Sequence, residues 1–125
     1  MPTYLRPDEK PVVQFDPLIE ISPFTLFRLL KEDRAPLLID ARQSPTGVTL
    51  EGALPFPGES WEPDKAARVV LFDEDGKEAE PIVRRLQGKG YGNVKMLFGG
   101  LELYAFSLDP EVVGETKFLK TLPDP

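Results

Sequence analysis

The chain contains neither cysteine nor histidine in its 125 residues. Without cysteine there is no disulfide, no thiolate nucleophile and no soft sulfur ligand for a metal. Without histidine the commonest general base near neutral pH is missing, and so is the commonest transition-metal ligand. A metal would have to be a hard cation on oxygen ligands. Long apolar runs are missing too. No segment approaches the roughly 20 apolar residues that cross a bilayer as a helix, and no basic stretch followed by an apolar run opens the sequence. Positive charge is scarce. The 15 Lys and Arg residues stand against 21 Asp and Glu, for a formal net charge of −6. That balance speaks against nucleic acid or an anionic membrane as partner. Together these absences lead us to expect a cytoplasmic protein.

What is present is globular. Hydrophobic residues make up 41% and charged residues 29%, enough for one domain with a real core. Met1 to Asp16 is polar and proline-bearing, and 1–17 is expected to be an irregular N-terminal arm. Glu20-Ile21 reads as a short strand. Ser22 is a suitable N-cap, and Pro23 fits the first helical position. Phe24, Leu26, Phe27, Leu29 and Leu30 then recur at helical spacing. Pro36 to Asp40 predicts a buried strand. Arg42 to Glu51 reads as a polar loop and Gly52 to Gly58 as a turn-rich segment.

Glu59 to Arg68 reads as a linker. Trp61 is its one aromatic, expected to staple the linker to the sheet rather than to anchor a partner. Val69 to Phe72 predicts another buried strand. A helix over Glu78 to Leu86 follows, and Pro81 favours a late start with Glu80 as cap. Asn93 to Phe98 is a further strand, and Gly99-Gly100 turns the chain into a short helix, Leu101 to Leu108. Residues 109–125 form a proline-rich C-terminal arm, with helical potential from Glu111 to Leu119. Lys65, Arg68, Arg84 and Arg85 read as solvated charge. Strands alternating with helices predict an α/β domain over 18–108, with a small, mostly parallel sheet flanked by helices on both faces.

The most informative stretch is Val69-Val70-Leu71-Phe72-Asp73-Glu74-Asp75-Gly76. A buried strand ends there in an acidic loop with a glycine, and a helix follows. In α/β sheets ligands meet the protein at the carboxyl ends of such strands, where loop N–H groups and a helix N-terminus converge.

The order of motifs resembles a single-domain rhodanese. It runs Leu38-Ile39-Asp40-Ala41-Arg42, then Glu51-Gly52-Ala53-Leu54-Pro55, then Val69 to Gly76, then Gly90-Tyr91-Gly92-Asn93-Val94, and ends at Leu97-Phe98-Gly99-Gly100. The resemblance spans about Ile19 to Leu108. That family carries sulfur on a catalytic cysteine in a loop of the form Cys-x-x-Gly-x-[Arg/Lys]-[Ser/Thr]. The corresponding positions here read Asp73-Glu74-Asp75-Gly76-Lys77-Glu78-Ala79, and only Gly76 is kept. A carboxylate cannot form a persulfide, and the added acids repel an anionic sulfur donor. The resemblance therefore implies an inactive module that is not an enzyme and needs neither cofactor nor metal. Its use would be in protein–protein interaction or regulation.

Asp73 is expected to accept hydrogen bonds from the loop N–H groups, with help from Lys77. Glu74, Asp75 and Glu78 should then face outward as a negative patch suited to a basic protein partner. Asp40 and Arg42 are expected to support the loop as scaffold. The partner's identity and the oligomeric state are not legible. Asp73-Glu74-Asp75-Gly76 also resembles the first motif of haloacid-dehalogenase-type phosphotransferases. That alternative would make Asp73 a nucleophile and Asp75 an acid/base around Mg²⁺. It lacks the later acidic pair that such chemistry needs.

Overall fold

The computed structural model describes residues 15–108 and 118–122. In chain order the elements are β1 (Glu20–Ile21), α1 (Pro23–Lys31), β2 (Leu37–Asp40), β3 (Val48–Leu50) and β4 (Leu54–Pro55). They continue with β5 (Val69–Phe72), α2 (Ala79–Gly88), β6 (Val94–Leu97), α3 (Gly100–Ser107) and β7 (Leu119–Thr121). Five strands make a parallel sheet in the order β1-β6-β5-β2-β4, and β3 pairs with β7 in a separate antiparallel ribbon.

The apolar run Val69-Val70-Leu71-Phe72 lies at the centre because it is buried on both faces. Alternation along the strands divides the core in two. Ile39, Val69, Leu71, Val94 and Met96 meet Ala79, Val83 and Leu86 of α2. Leu38, Val70, Phe72 and Leu97 meet Leu26 and Phe27 of α1 and Leu101 and Tyr104 of α3. Helices thus cover both faces, as the sequence predicts.

Helix α1 starts where its caps place it. Ser22 Oγ accepts from the Thr25 N–H at 3.1 Å, and Pro23 takes the first helical position. The buried stripe is narrower than its spacing suggests. Leu26 and Phe27 are covered, while Phe24 is left 54% exposed. Helix α2 starts at Ala79 with Glu78 at the cap position, so the later start with Glu80 as cap is corrected. Pro81 sits in the first turn, where N–H groups have no intrahelical acceptor, so the missing donor costs nothing.

Three strands depart from expectation. The loop over Arg42 to Glu51 contains β3, and the turn-rich segment contains the edge strand β4. The helical potential assigned to Glu111–Leu119 fails at its end: Leu119 pairs with Leu50 in β7, while 111–117 lie outside the described residues. Phe118 and Leu119 pack on the α1–α3 side of the core, with the Phe118 ring 5.7 Å from that of Phe27. Trp61 is half-buried and meets Phe56 edge-on at 6.0 Å. It is the expected staple.

Glu20 is buried on β1, where Oε1 accepts from the Asp16 N–H at 2.7 Å. Burial raises its pKa above the ordinary carboxylate value, with the nearby Asp16 and Glu80 carboxylates adding to the rise and the Asp16 N–H opposing it. The folded chain therefore holds this proton more tightly than the unfolded chain. Above the raised pKa the ionised group costs stability, and the cost disappears as the pH falls through that pKa. We expect Glu20→Gln to melt above wild type at pH 7, with the two melting temperatures converging on acidification. A variant melting below wild type at pH 7 would refute this.

Candidate functional site

The site lies where β5 hands over to α2. Asp73, the first residue after β5, is completely buried. Its side chain turns back over its own loop. Oδ1 accepts from the Gly76 N–H at 2.5 Å, and Oδ2 accepts from the N–H groups of Glu78 at 2.6 Å and Ala79 at 2.9 Å. Glu78 occupies the cap position of α2 but makes no side-chain cap bond. Asp73 does that work from five residues upstream and sets a negative charge against the positive end of the helix. The loop N–H groups that could cradle an anion are thus turned onto an internal carboxylate. Gly76, at φ +97°, supplies the left-handed backbone that lets the loop close on it.

A second helix N-terminus holds the loop from its other side. The N–H groups of Leu101 and Glu102 donate to the carbonyls of Asp73 and Glu74 at 2.7 and 3.0 Å. This approach requires Gly100. A Cβ there would stand 2.5 Å from the carbonyl carbon and oxygen of Glu74, at a φ of +68°.

Asp40 and Arg42 form the third support. Arg42 Nε and Nη2 bind the two carboxylate oxygens of Asp40 at 3.0 and 2.8 Å, a planar fork-on-fork pair. Nη1 donates to the Thr46 carbonyl at 3.0 Å and to Glu74 Oε2 at 3.1 Å, and Nη2 donates to the Val48 carbonyl at 2.8 Å. All five N–H donors of the guanidinium are occupied. Asp40 also accepts from the Arg42 N–H at 3.1 Å and the Thr49 hydroxyl at 3.2 Å. Both side chains are buried. The Asp40 carboxylate further raises the already high pKa of Arg42. Arg42 therefore fastens β2, the start of β3 and the acidic loop together, and leaves no donor for a ligand. This is the scaffold role expected for the pair, extended to a direct tie to Glu74.

Two expectations about the loop are corrected. Lys77 does not reach Asp73; its Nζ lies 3.8 Å from Asp75 Oδ2, in an exposed pair. Asp73 is satisfied by backbone alone. The negative patch is also smaller than the sequence suggests, because Glu74 is tied to Arg42 and Asp75 faces Lys77. Glu78 is exposed. Ala79 is buried against α2's side of the sheet. The geometry does not make the phosphotransferase constellation. Asp73 spends both oxygens on backbone N–H groups, and the exposed Asp75 Oδ1 accepts from the Lys77 N–H at 3.0 Å. The two carboxylates do not converge. Among the described residues, no group of three or more acidic side chains is placed to hold a metal ion.

Arg85 is likewise not the solvated charge its sequence context suggests. It is half-buried, and its Nη2 is buried without an acceptor. The signal was present, since Arg85 follows Ile82 and Val83 near the apolar stripe of α2, but its neighbours come from distant segments. The other three are as expected in exposure, though engaged: Lys65 stands over the Tyr91 ring at 5.4 Å, Arg84 pairs with Glu80 at 3.5 Å, and Arg68 reaches the Arg34 carbonyl at 3.5 Å.

Solved structures share this architecture. A rhodanese-related protein from Thermoplasma volcanium is 16% identical, with 72% of this chain and 93% of that one covered at a TM-score of 0.60. A Lactobacillus plantarum protein is 20% identical over 71% of this chain and 83% of its own, at 0.61. Thiosulfate sulfurtransferase from Pseudomonas aeruginosa is 19% identical and matches 82% of this chain with 20% of its own length, also at 0.61. No family model matches the chain, and no curated protein does. The protein has the rhodanese-like fold. No helix among the described residues is long and apolar enough to cross a membrane.

Proposed function

We propose that this chain is a rhodanese-like module without sulfurtransferase activity, a cytoplasmic protein that works by binding another protein. Asp73 stands where the resemblance to rhodaneses puts the cysteine. The observation that carries the reading is the use of its carboxylate. It takes the Gly76, Glu78 and Ala79 N–H groups that an anionic sulfur species would need. The nucleophile and the anion cradle are lost through the same side chain. Sulfur transfer needs a thiolate to attack a sulfane sulfur and keep it as a persulfide. A carboxylate holds no sulfur in that way. The fold, its supports and its ordered loop remain, which suits recognition rather than turnover. The exposed carboxylates near the loop and the net charge of −6 favour a basic partner, with association that weakens as salt rises.

The test is a thiosulfate:cyanide assay. Wild type should form no thiocyanate above buffer. Asp73→Cys alone should recover little, because Glu74, Asp75 and Glu78 raise the new thiol's pKa and repel thiosulfate. Adding Glu74→Ser and Glu78→Arg should raise the rate. Thiocyanate that scales with wild-type protein and disappears in Asp73→Ala would overturn the proposal.

A further inference from the structure

Beside the acidic loop lies a groove of about 620 Å³ that the function above does not use. It opens at the carboxyl ends of β2 and β4, the end of a parallel sheet where α/β domains meet their ligands. Its volume falls in the range of small-molecule sites. Phe56, Pro81 and Ile82 give it apolar walls, and Arg85 of α2 is the one arginine among its lining residues.

The Arg85 side chain is the feature that needs an explanation. Its Nη2 is shielded from solvent and has no hydrogen-bond acceptor. A buried donor without an acceptor is costly, more so on a charged group. Arg42, a few residues from the groove, has every donor matched, so poor polar matching is not general in this part of the fold. Glu59 and Glu78 also line the groove, yet both are exposed and neither pairs with Arg85. They leave Nη2 unmatched while setting two negative charges in the groove. A ligand bearing several negative charges would be repelled there, whereas one carboxylate reaching Arg85 would gain a charge-assisted hydrogen bond.

We infer that this groove binds a small amphiphilic monocarboxylate, with its apolar body against Phe56, Pro81 and Ile82 and its carboxylate on Arg85. A modest turn of the guanidinium toward the groove would give Nη2 the acceptor it lacks. Arg85 and the apolar wall lie outside the Asp73 cradle, which the groove touches only at Glu78, so carboxylate binding here does not depend on sulfur chemistry.

Trp61 provides the readout. It is the sole tryptophan, and it packs edge-on against Phe56 in the groove wall. The probes are 3-phenylpropionate and its uncharged twin, 3-phenylpropionamide, followed by Trp61 fluorescence and by the Arg85 Nε–H resonance. The acid should bind about tenfold more tightly than the amide or better, as a charge-assisted hydrogen bond predicts. Arg85→Gln should remove that preference while leaving amide binding within about twofold. Arg85→Lys should keep part of the preference, which separates lost charge from a damaged wall. Equal binding of acid and amide, or an unaltered preference in Arg85→Gln, would overturn the inference. So would a Gly-Gly-Phe peptide with a free carboxyl terminus binding tenfold more tightly than 3-phenylpropionate, since the groove would then be a seat for a protein terminus.

Discussion

Asp73→Ala is expected to lose at least about 3 kcal/mol of folding stability, because it strands three N–H groups at a buried helix N-terminus and each unsatisfied donor costs about 1–3 kcal/mol. Asp73 is wholly buried, so water does not simply replace the carboxylate. Glu74→Ala is the matched control. Its side chain is 63% exposed and its pair with Arg42 is partly screened, so the loss should stay near 1 kcal/mol or below. Urea titrations of both variants make the comparison. The emptied cradle should also acquire a property that wild type does not have: sulfate should raise the melting temperature of Asp73→Ala more than an equal ionic strength of chloride does. If Asp73→Ala costs no more than Glu74→Ala, the carboxylate is not what holds the loop.

A loss of similar size is expected for Arg42→Met. Methionine keeps length and apolar character but removes the guanidinium donors that bind Asp40, Thr46, Val48 and Glu74. Asp40 would keep only the Thr49 hydroxyl and one backbone N–H. Removing one partner of a buried ion pair typically costs about 3–5 kcal/mol, because the other charge is left uncompensated. Arg42→Lys should fall between, since a single ammonium cannot match a planar fork plus two carbonyls. Denaturant midpoints for the three proteins decide it. Lysine as stable as arginine would mean that charge alone, not the five-donor geometry, is what matters here.

The elements that sequence reasoning places correctly are those that are local and strongly patterned. Val69 to Phe72 and Leu38 to Asp40 are short, mainly apolar runs that a parallel sheet buries. Ser22-Pro23 marks a helix start through chemistry confined to four residues. Asp73 was legible for the same reason, since its partners lie within six residues. The strands β3, β4 and β7 were not. They are two or three residues long, bear proline or polar residues, and exist because of what they pair with across the chain. The Glu74–Arg42 tie escaped notice because it links positions 32 apart. Lys77 reads as a partner of Asp73 because adjacency in sequence says nothing of the direction in which the loop curls. Arg85 reads as solvated charge because its surroundings, Phe56 after β4 among them, are remote in sequence.

The β3–β7 ribbon carries a consequence for the order in which the fold assembles. In the parallel sheet the β2–β4, β2–β5 and β5–β6 pairings close loops of modest length, and β1 reaches β6 only across most of the domain, at Glu20↔Met96. The ribbon is of that second kind: it joins Val48–Leu50 to Leu119–Thr121, so the whole of β4 to α3 lies inside the loop it closes. Closing so long a loop by three residue pairs carries a large entropic cost and little local reward. Its strands gain from pairing only once Leu50, Phe118 and Phe27 have a packed core to lie against. The ribbon is therefore a late latch on a domain already formed. Because Arg42 grips the Val48 carbonyl at the start of β3, the latch closes onto a segment that the ion pair beneath the acidic loop has already set in place.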